Sequence, residues 1–310
     1  MKEFQVIAGM SALLVGASLT ISTATAHEPY RCPYDSVLSG DTCVDKFETT
    51  VWTIDPDEPA FEKSVRRLRD LARGVSGRVT DSKLTRIPGA MQMIGTTTDD
   101  FGSNCPDTGN GCTDFFSFSI ANTLPSRDMT WFQAVAFCRN SGKRLLTNHE
   151  WQAAALGTPD PGTDDGIDDC NVALYDDSFT TGSRANCVSD VGAFDMVGSV
   201  SEWVADWLQG SSVPWDPSPP NVGITNGPTY GNDDMHSVNP ARDQGVDPDA
   251  FRFPSAVIRG GSFGQGEGAG VFAFTAVISP AGEIGSTGTR CARVSNDVKV
   301  GKNHRFKNRQ

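Results

Sequence analysis

The sequence predicts one loop-rich α/β domain, of the α+β kind, stapled by disulfides and exported from the cytoplasm. Three observations carry that reading. The N-terminus is laid out as a secretory leader, with Lys2 as a charged start, a mostly apolar run from Val6 to Ile21, and Ala24-Thr25-Ala26 as an A-x-A cleavage site. The eight cysteines all lie beyond that cleavage point, an even count that reads as disulfides in an exported chain. Helix-capping motifs and short β-branched runs alternate with long stretches of Gly, Pro, Asn and Asp. The expected organisation is a signal peptide over 1–26, a single domain over 27–296 and a basic, flexible tail over 297–310. The leader's apolar run is short and dotted with Ser and Thr, so a membrane span is not expected. The mature protein is expected in the periplasm or outside the cell.

Taken in order, Thr42 to Ile54 mixes β-branched and aromatic residues and reads as one or two strands. Phe61, Val65, Leu68 and Leu71 recur three or four apart among charges, which predicts an amphipathic helix over 61–73. Thr130-Trp131-Phe132-Gln133 is a capping box, in which the threonine side chain satisfies an orphan N–H and the glutamine reaches back. It opens a helix from Trp131 to about Ser141, with Phe132, Val135 and Ala136 inward and Gly142 as its left-handed cap. Thr147-Asn148-His149-Glu150 is a second box, opening a helix through Trp151 and Ala155 that Gly157 ends. His149 reads as a solvated residue of its first turn. The acidic run from Thr158 to Asn171 lacks the EF-hand order and reads as a solvated loop. Residues 210–256 form a long loop studded with Trp215, Tyr230, Phe251 and Phe253, either a binding rim or pins for the loop. Val257 to Arg259 is a strand entering a Gly-Gly turn, and Gly288 to Arg293 is a last strand.

Several chemistries are not encoded. The formal net charge of −12 argues against nucleic acid as a partner. The four histidines are scattered, so no zinc or iron cluster is expected. There is neither a nucleophile elbow nor a phosphate-binding P-loop. Among the cysteines, proximity favours Cys32–Cys43, Cys105–Cys112 and Cys170–Cys187, leaving Cys138 and Cys291.

The stretch from Gly192 to Trp207 is the most distinctive. Trp203 and Trp207, at i and i+4, would share one face of a helical turn. Asp195 and Glu202 are seven apart, which on a continuous helix is roughly 10 Å, too far to grip one ion. A break at Gly198 would let both carboxylates and some intervening carbonyls turn inward, the flexible oxygen shell that calcium takes. The alternative is that Asp195 caps a turn while Glu202 sits in solvent, and spacing alone favours it.

Four ordered blocks go further: Trp131 to Cys138 with Gly142 to Trp151, Phe194 to Trp203, Arg259-Gly260-Gly261-Ser262-Phe263, and Arg290-Cys291-Ala292-Arg293. Together they resemble the formylglycine-generating enzyme, or sulfatase-modifying factor, family over roughly residues 40–293. Glu48-Thr49-Thr50 sits where that family has its early Glu-Val-Thr strand. The resemblance implies the family's variant of the C-type lectin fold and a disulfide joining Cys138 to Cys291. It implies a calcium site that falls on Asp195, Gly198, Val200 and Glu202. A second would begin at Asn171 and Val172, but its later aspartate has no match near Ser183 and Arg184.

Family members oxidise a sulfatase cysteine to formylglycine with copper held by two cysteines. The matching positions here are Gln265 and Gly270, and no cysteine lies between Cys187 and Cys291. A thiolate binds soft Cu(I), whereas an amide and a bare glycine do not. The resemblance therefore implies the fold without the catalyst. Copper is not expected, and the role expected is binding of a protein or glycan ligand. The rival reading is an oxidoreductase of the same type using other residues, and a third is a structural envelope protein.

Overall fold

The structure is a computed structural model that describes residues 32–208 and 255–295, apart from 76, 88, 90, 97–100, 161, 163 and 174–178, together with the backbone of 235–236. The leader, the basic tail and the four rim aromatics of the long loop lie outside the described residues.

A hairpin opens the described chain, β1 (Ser36–Ser39) pairing antiparallel with β2 (Thr42–Asp45) around Gly40, which takes the left-handed φ of 61° that the turn needs. The run expected as one or two strands is thus split, its second half forming β3 (Thr49–Ile54). Helix α1 (Phe61–Ala72) follows, then the single turn α2 (Asp81–Leu84), β4 (Met91–Ile94) and β5 (Phe116–Ser119). Strands β4, β3 and β5 form one sheet in that order. Val65, Leu68, Leu71 and Ala72 of α1 close over it with Leu84 and Ile87, burying Ile54, Phe116 and Phe118. Each fully buried leucine in such a layer contributes about 1.5–3 kcal/mol, enough to hold a helix whose other face is charged.

Helix α3 (Trp131–Asn140) and helix α4 (Asn148–Ala155) flank β6 (Arg144–Leu145), and both expected capping boxes are present with both of their reciprocal bonds. Gly142 carries the positive φ expected of a left-handed cap, and Gly157, which ends α4, has a positive φ as well. The inner face of α3 matches expectation in part: Ala136 is buried as expected, together with Ala134, Phe137 and Cys138, while Phe132 and Val135 are only half-buried. The sheet supplies the reason, because α3 rotates to bring Cys138 against the last strand.

Strand β7 (Ser201–Leu208) is the main correction. The tryptophan pair lies on a strand and not on a helix. Strand β7 pairs with β9 (Ser255–Arg259) and with β11 (Thr287–Thr289), in a sheet completed by β8 (Met235–His236) and β10 (Phe274–Ile278). Trp203 faces Ile258 and Trp207 faces Ala256, so β7 spends four residues where its partner spends two. That bulge leaves Trp203 fully buried and Trp207 38 % exposed. Strand β12 (Cys291–Val294) leaves this sheet and joins β1, β2 and β6. The expected last strand is therefore two strands in two sheets, with Arg290 at the crossing. Disulfides join Cys32–Cys43, Cys105–Cys112, Cys138–Cys291 and Cys170–Cys187, and they account for every cysteine of the chain. No helix among the described residues is long and apolar enough to cross a membrane.

Candidate functional site

Three carboxylates converge under the point where β7 begins. Gly198 makes the approach possible: its φ is 73°, and a Cβ there would stand 2.2 Å from the Asn171 carbonyl oxygen. The chain turns on it, Ser199 donating its N–H to that same carbonyl, and enters β7 with Glu202 buried. Arg290, fully buried at the crossing of β11 and β12, clasps Glu202 through Nη2 to Oε1 at 2.8 Å and Nε to Oε1 at 3.0 Å. Trp151 of α4 donates its Nε1 to Glu202 Oε2 at 2.7 Å. The guanidinium also donates to the Asp45 and Phe194 carbonyls, at 3.0 and 2.6 Å. Glu48 accepts from the Val200 N–H at 2.9 Å and from the Ser199 hydroxyl at 3.0 Å. Asp195, at φ 58°, accepts the Gly182 N–H on Oδ2 at 2.6 Å.

The electrostatics follow from burial. Loss of hydration, with the charges of Asp195 and Glu202 added, pushes Glu48 well above the usual carboxylate range. Burial likewise pushes Asp195 up, to about 6, against the opposing Gly182 N–H and Arg290. The Arg290 pKa is raised as well: burial disfavours its charge, but Glu202 outweighs that and holds it protonated. Three carboxylates thus share one guanidinium, and the excess negative charge calls for a proton or a second cation. Next to this cluster, Lys143 bridges buried Asp45 at 2.7 Å and Asp35 at 3.6 Å.

The Gly-Gly turn after β9 is closed. Both glycines have positive φ, and a Cβ on Gly261 would lie 2.6 Å from Ala269. Gln265 accepts the Ser262 N–H on Oε1 at 2.7 Å, and the Gly270 N–H donates to the Gly260 carbonyl at 3.1 Å. The glycine run folds back on itself through these bonds, with Gly266 donating to the Val172 carbonyl.

A family model described as a sulfatase-modifying factor enzyme 1-like domain matches residues 78–295, more than half of the chain. The chain belongs to this family. Among curated sulfatase-modifying-factor relatives, the formylglycine-generating enzyme of Thermomonospora curvata is 32 % identical over 101 residues, 27 % of this chain and 33 % of that protein. The serine/threonine-protein kinase Pkn1 of Chlamydia trachomatis serovar L2 is 36 % identical over 87 residues, 27 % of this chain and 14 % of that protein. The matches thus span a third or less of the curated relatives' length. Among solved structures, the Major Tropism Determinant U1 variant aligns with a TM-score of 0.39 at 16 % identity, over 84 % of this chain and 52 % of that one. With membership in the family goes its C-type-lectin variant of the mixed α/β fold.

Within this family frame the residues read from sequence fall into place unevenly. Asp195, Gly198, Val200 and Glu202 lie along one tight path, and Glu202 is 1 % exposed, not in solvent as spacing alone favoured. Oxygen donors of this kind suit calcium, but both Glu202 oxygens already face Arg290 or Trp151. At the second position, Asn171 Oδ1 is buried without a hydrogen bond, and nearby Arg184 is buried over the Phe179 ring, 3.6 Å from Asp164. Part of the acidic loop is therefore not solvated, since the Asp164 side chain is buried against that arginine. Glu48 went unassigned in the sequence reading. Its signal was a carboxylate immediately before the β-branched and aromatic run Thr49–Ile54 that forms β3. A surface cluster was missed as well: Trp131 stacks edge-on to Trp207 at 4.9 Å and to Phe132 at 5.4 Å, at the end of β7.

Proposed function

We propose that this is an exported ligand-binding member of the sulfatase-modifying-factor family that does not make formylglycine. One observation carries the reading. The positions matched to the copper thiolates are a glutamine and a glycine, whose Oε1 and N–H bond within their own turn, while all eight cysteines are in disulfides. Formylglycine formation by the family's route needs a thiolate pair to hold copper and engage a substrate cysteine, and a disulfide sulfur offers neither. Export is supported by the four disulfides, which persist in oxidising compartments. The ligand is a protein or a glycan, and the Trp131, Phe132 and Trp207 rings offer a surface for it. Aromatic faces of this kind bury area at low conformational cost.

The same reading keeps calcium as a structural ion on Asp195, the Gly198 and Val200 carbonyls and Glu202. The excess of carboxylate over guanidinium supports it. Calcium should then raise the melting temperature of the wild type by mass action but not that of Asp195→Asn, a substitution that tolerates the left-handed backbone. The function itself is tested by incubating the pure protein with Cu(I), oxygen and a sulfatase-derived peptide. Unchanged peptide mass and no stoichiometric copper are expected, and the cysteine-to-aldehyde mass change would overturn the proposal.

A further inference from the structure

The face of α1 that does not touch the sheet carries a charge opposite to that of the whole chain. Residues 61–86 hold eight Lys and Arg against three Asp and Glu, within a protein of net charge −12. Five of the positive side chains, mostly exposed, gather around one concavity. Lys63, Arg66 and Arg67, at i, i+3 and i+4, line one side of a cavity of about 580 Å³, and Lys83 and Arg86 line the other. Asp70 is the one carboxylate among the lining residues, and buried Ile87 is the one apolar one. Lys63, Arg66 and Arg86 form no ion pair among the described residues; Arg66 uses its Nε on the Glu62 carbonyl.

The fold does not require this arrangement. The apolar underside of α1 and α2 is complete without it, and Lys63, Arg66 and Arg67 precede the family match, which begins at residue 78. Crowding five like charges around one concavity costs stability, and a concave wall concentrates their field. The volume is that of a site for a small molecule. Arginine forks match the oxygens of phosphate and sulfate in pairs. The acidic remainder of the surface repels a long polyanion, which limits the ligand to one that fits the groove.

We propose that the groove between α1 and α2 binds a compact ligand carrying two or more phosphate or sulfate groups. The test is calorimetric titration of the full chain with inorganic pyrophosphate, myo-inositol hexakisphosphate and a heparin-derived disaccharide, at low and at physiological salt. Wild type should bind at least one of them, more weakly as salt rises. Arg66→Ala/Arg67→Ala and Lys83→Glu/Arg86→Glu should each weaken binding roughly tenfold or more, with melting curves like wild type. Arg139→Ala, on α3, should change nothing. A preference for pyrophosphate and the hexakisphosphate would assign a phosphate source, and a preference for the disaccharide a sulfated sugar. No binding by wild type, equal binding by both groove variants, or binding only to anionic phospholipid vesicles would overturn the proposal.

Discussion

The crossing of β11 and β12 and the groove beside α1 are both dense in charge, yet they obey opposite rules. At the crossing every charged group is buried, and each is held by a partner: Arg290 by Glu202, Glu48 by the Val200 N–H, Asp195 by the Gly182 N–H. In the groove five cations share one open concavity with a single carboxylate. A buried charge must be paired, because its lost hydration costs several kcal/mol. An exposed one keeps its water and can stand beside its like. The first region therefore carries the fold, whereas the second is free to serve a ligand.

Stability measurements can break or sharpen that contrast. The largest effect is expected at the Cys138–Cys291 bond, which closes a 153-residue separation immediately beside Arg290. Replacing both cysteines by alanine should cost about 5 kcal/mol in the chain-entropy model, read by urea unfolding under non-reducing conditions. Arg290→Met comes next. It leaves Glu202 buried without its cation and should cost about 3–5 kcal/mol, part of which Glu202→Gln in the same chain should recover. A double variant no better than the single would mean that the guanidinium serves mainly its carbonyl contacts.

Smaller effects mark the boundary between the two regimes. Glu150 is half-exposed. Burial raises its pKa, but the Arg144 fork, the Thr147 N–H and the Thr42 hydroxyl outweigh burial and hold it at about 2. Since the folded pKa lies below the unfolded one, its contribution is fully present above about 4.5 and is lost as pH falls from there towards 2. Glu150→Gln should cost about 1 kcal/mol at neutral pH and flatten that part of the acid limb in pH-dependent melting. The smallest change is expected in the groove, where Arg66→Ala should shift stability by less than about 0.5 kcal/mol. A loss as large as that of Arg290→Met would erase the distinction between the regions.

How much of this was legible in the sequence depended on the distance over which each feature is encoded. The two capping boxes, the apolar stripe of α1 and the helix-ending glycines at 142 and 157 are local. Their hydrogen bonds and sterics are settled within about one helical turn, so composition and spacing specify them. The ordered blocks from Trp131 to Arg293 specified the family in the same linear way. Trp203 was different. An i, i+4 pair of tryptophans suits a helix, and only pairing with β9 and β11 made that segment a bulged strand.

By itself, then, the sequence determined the caps, the amphipathic helix, the family and the lack of thiols at 265 and 270. The tertiary structure alone decided that Arg290 meets Glu202, 88 residues away, that Glu48 joins them, and that Lys83 and Arg86 face Lys63, Arg66 and Arg67 across one groove. Charges separated by tens of residues carry no local signal of their partners. Which of them meet is set by strand order and helix packing, and these follow from burying apolar area over the whole chain.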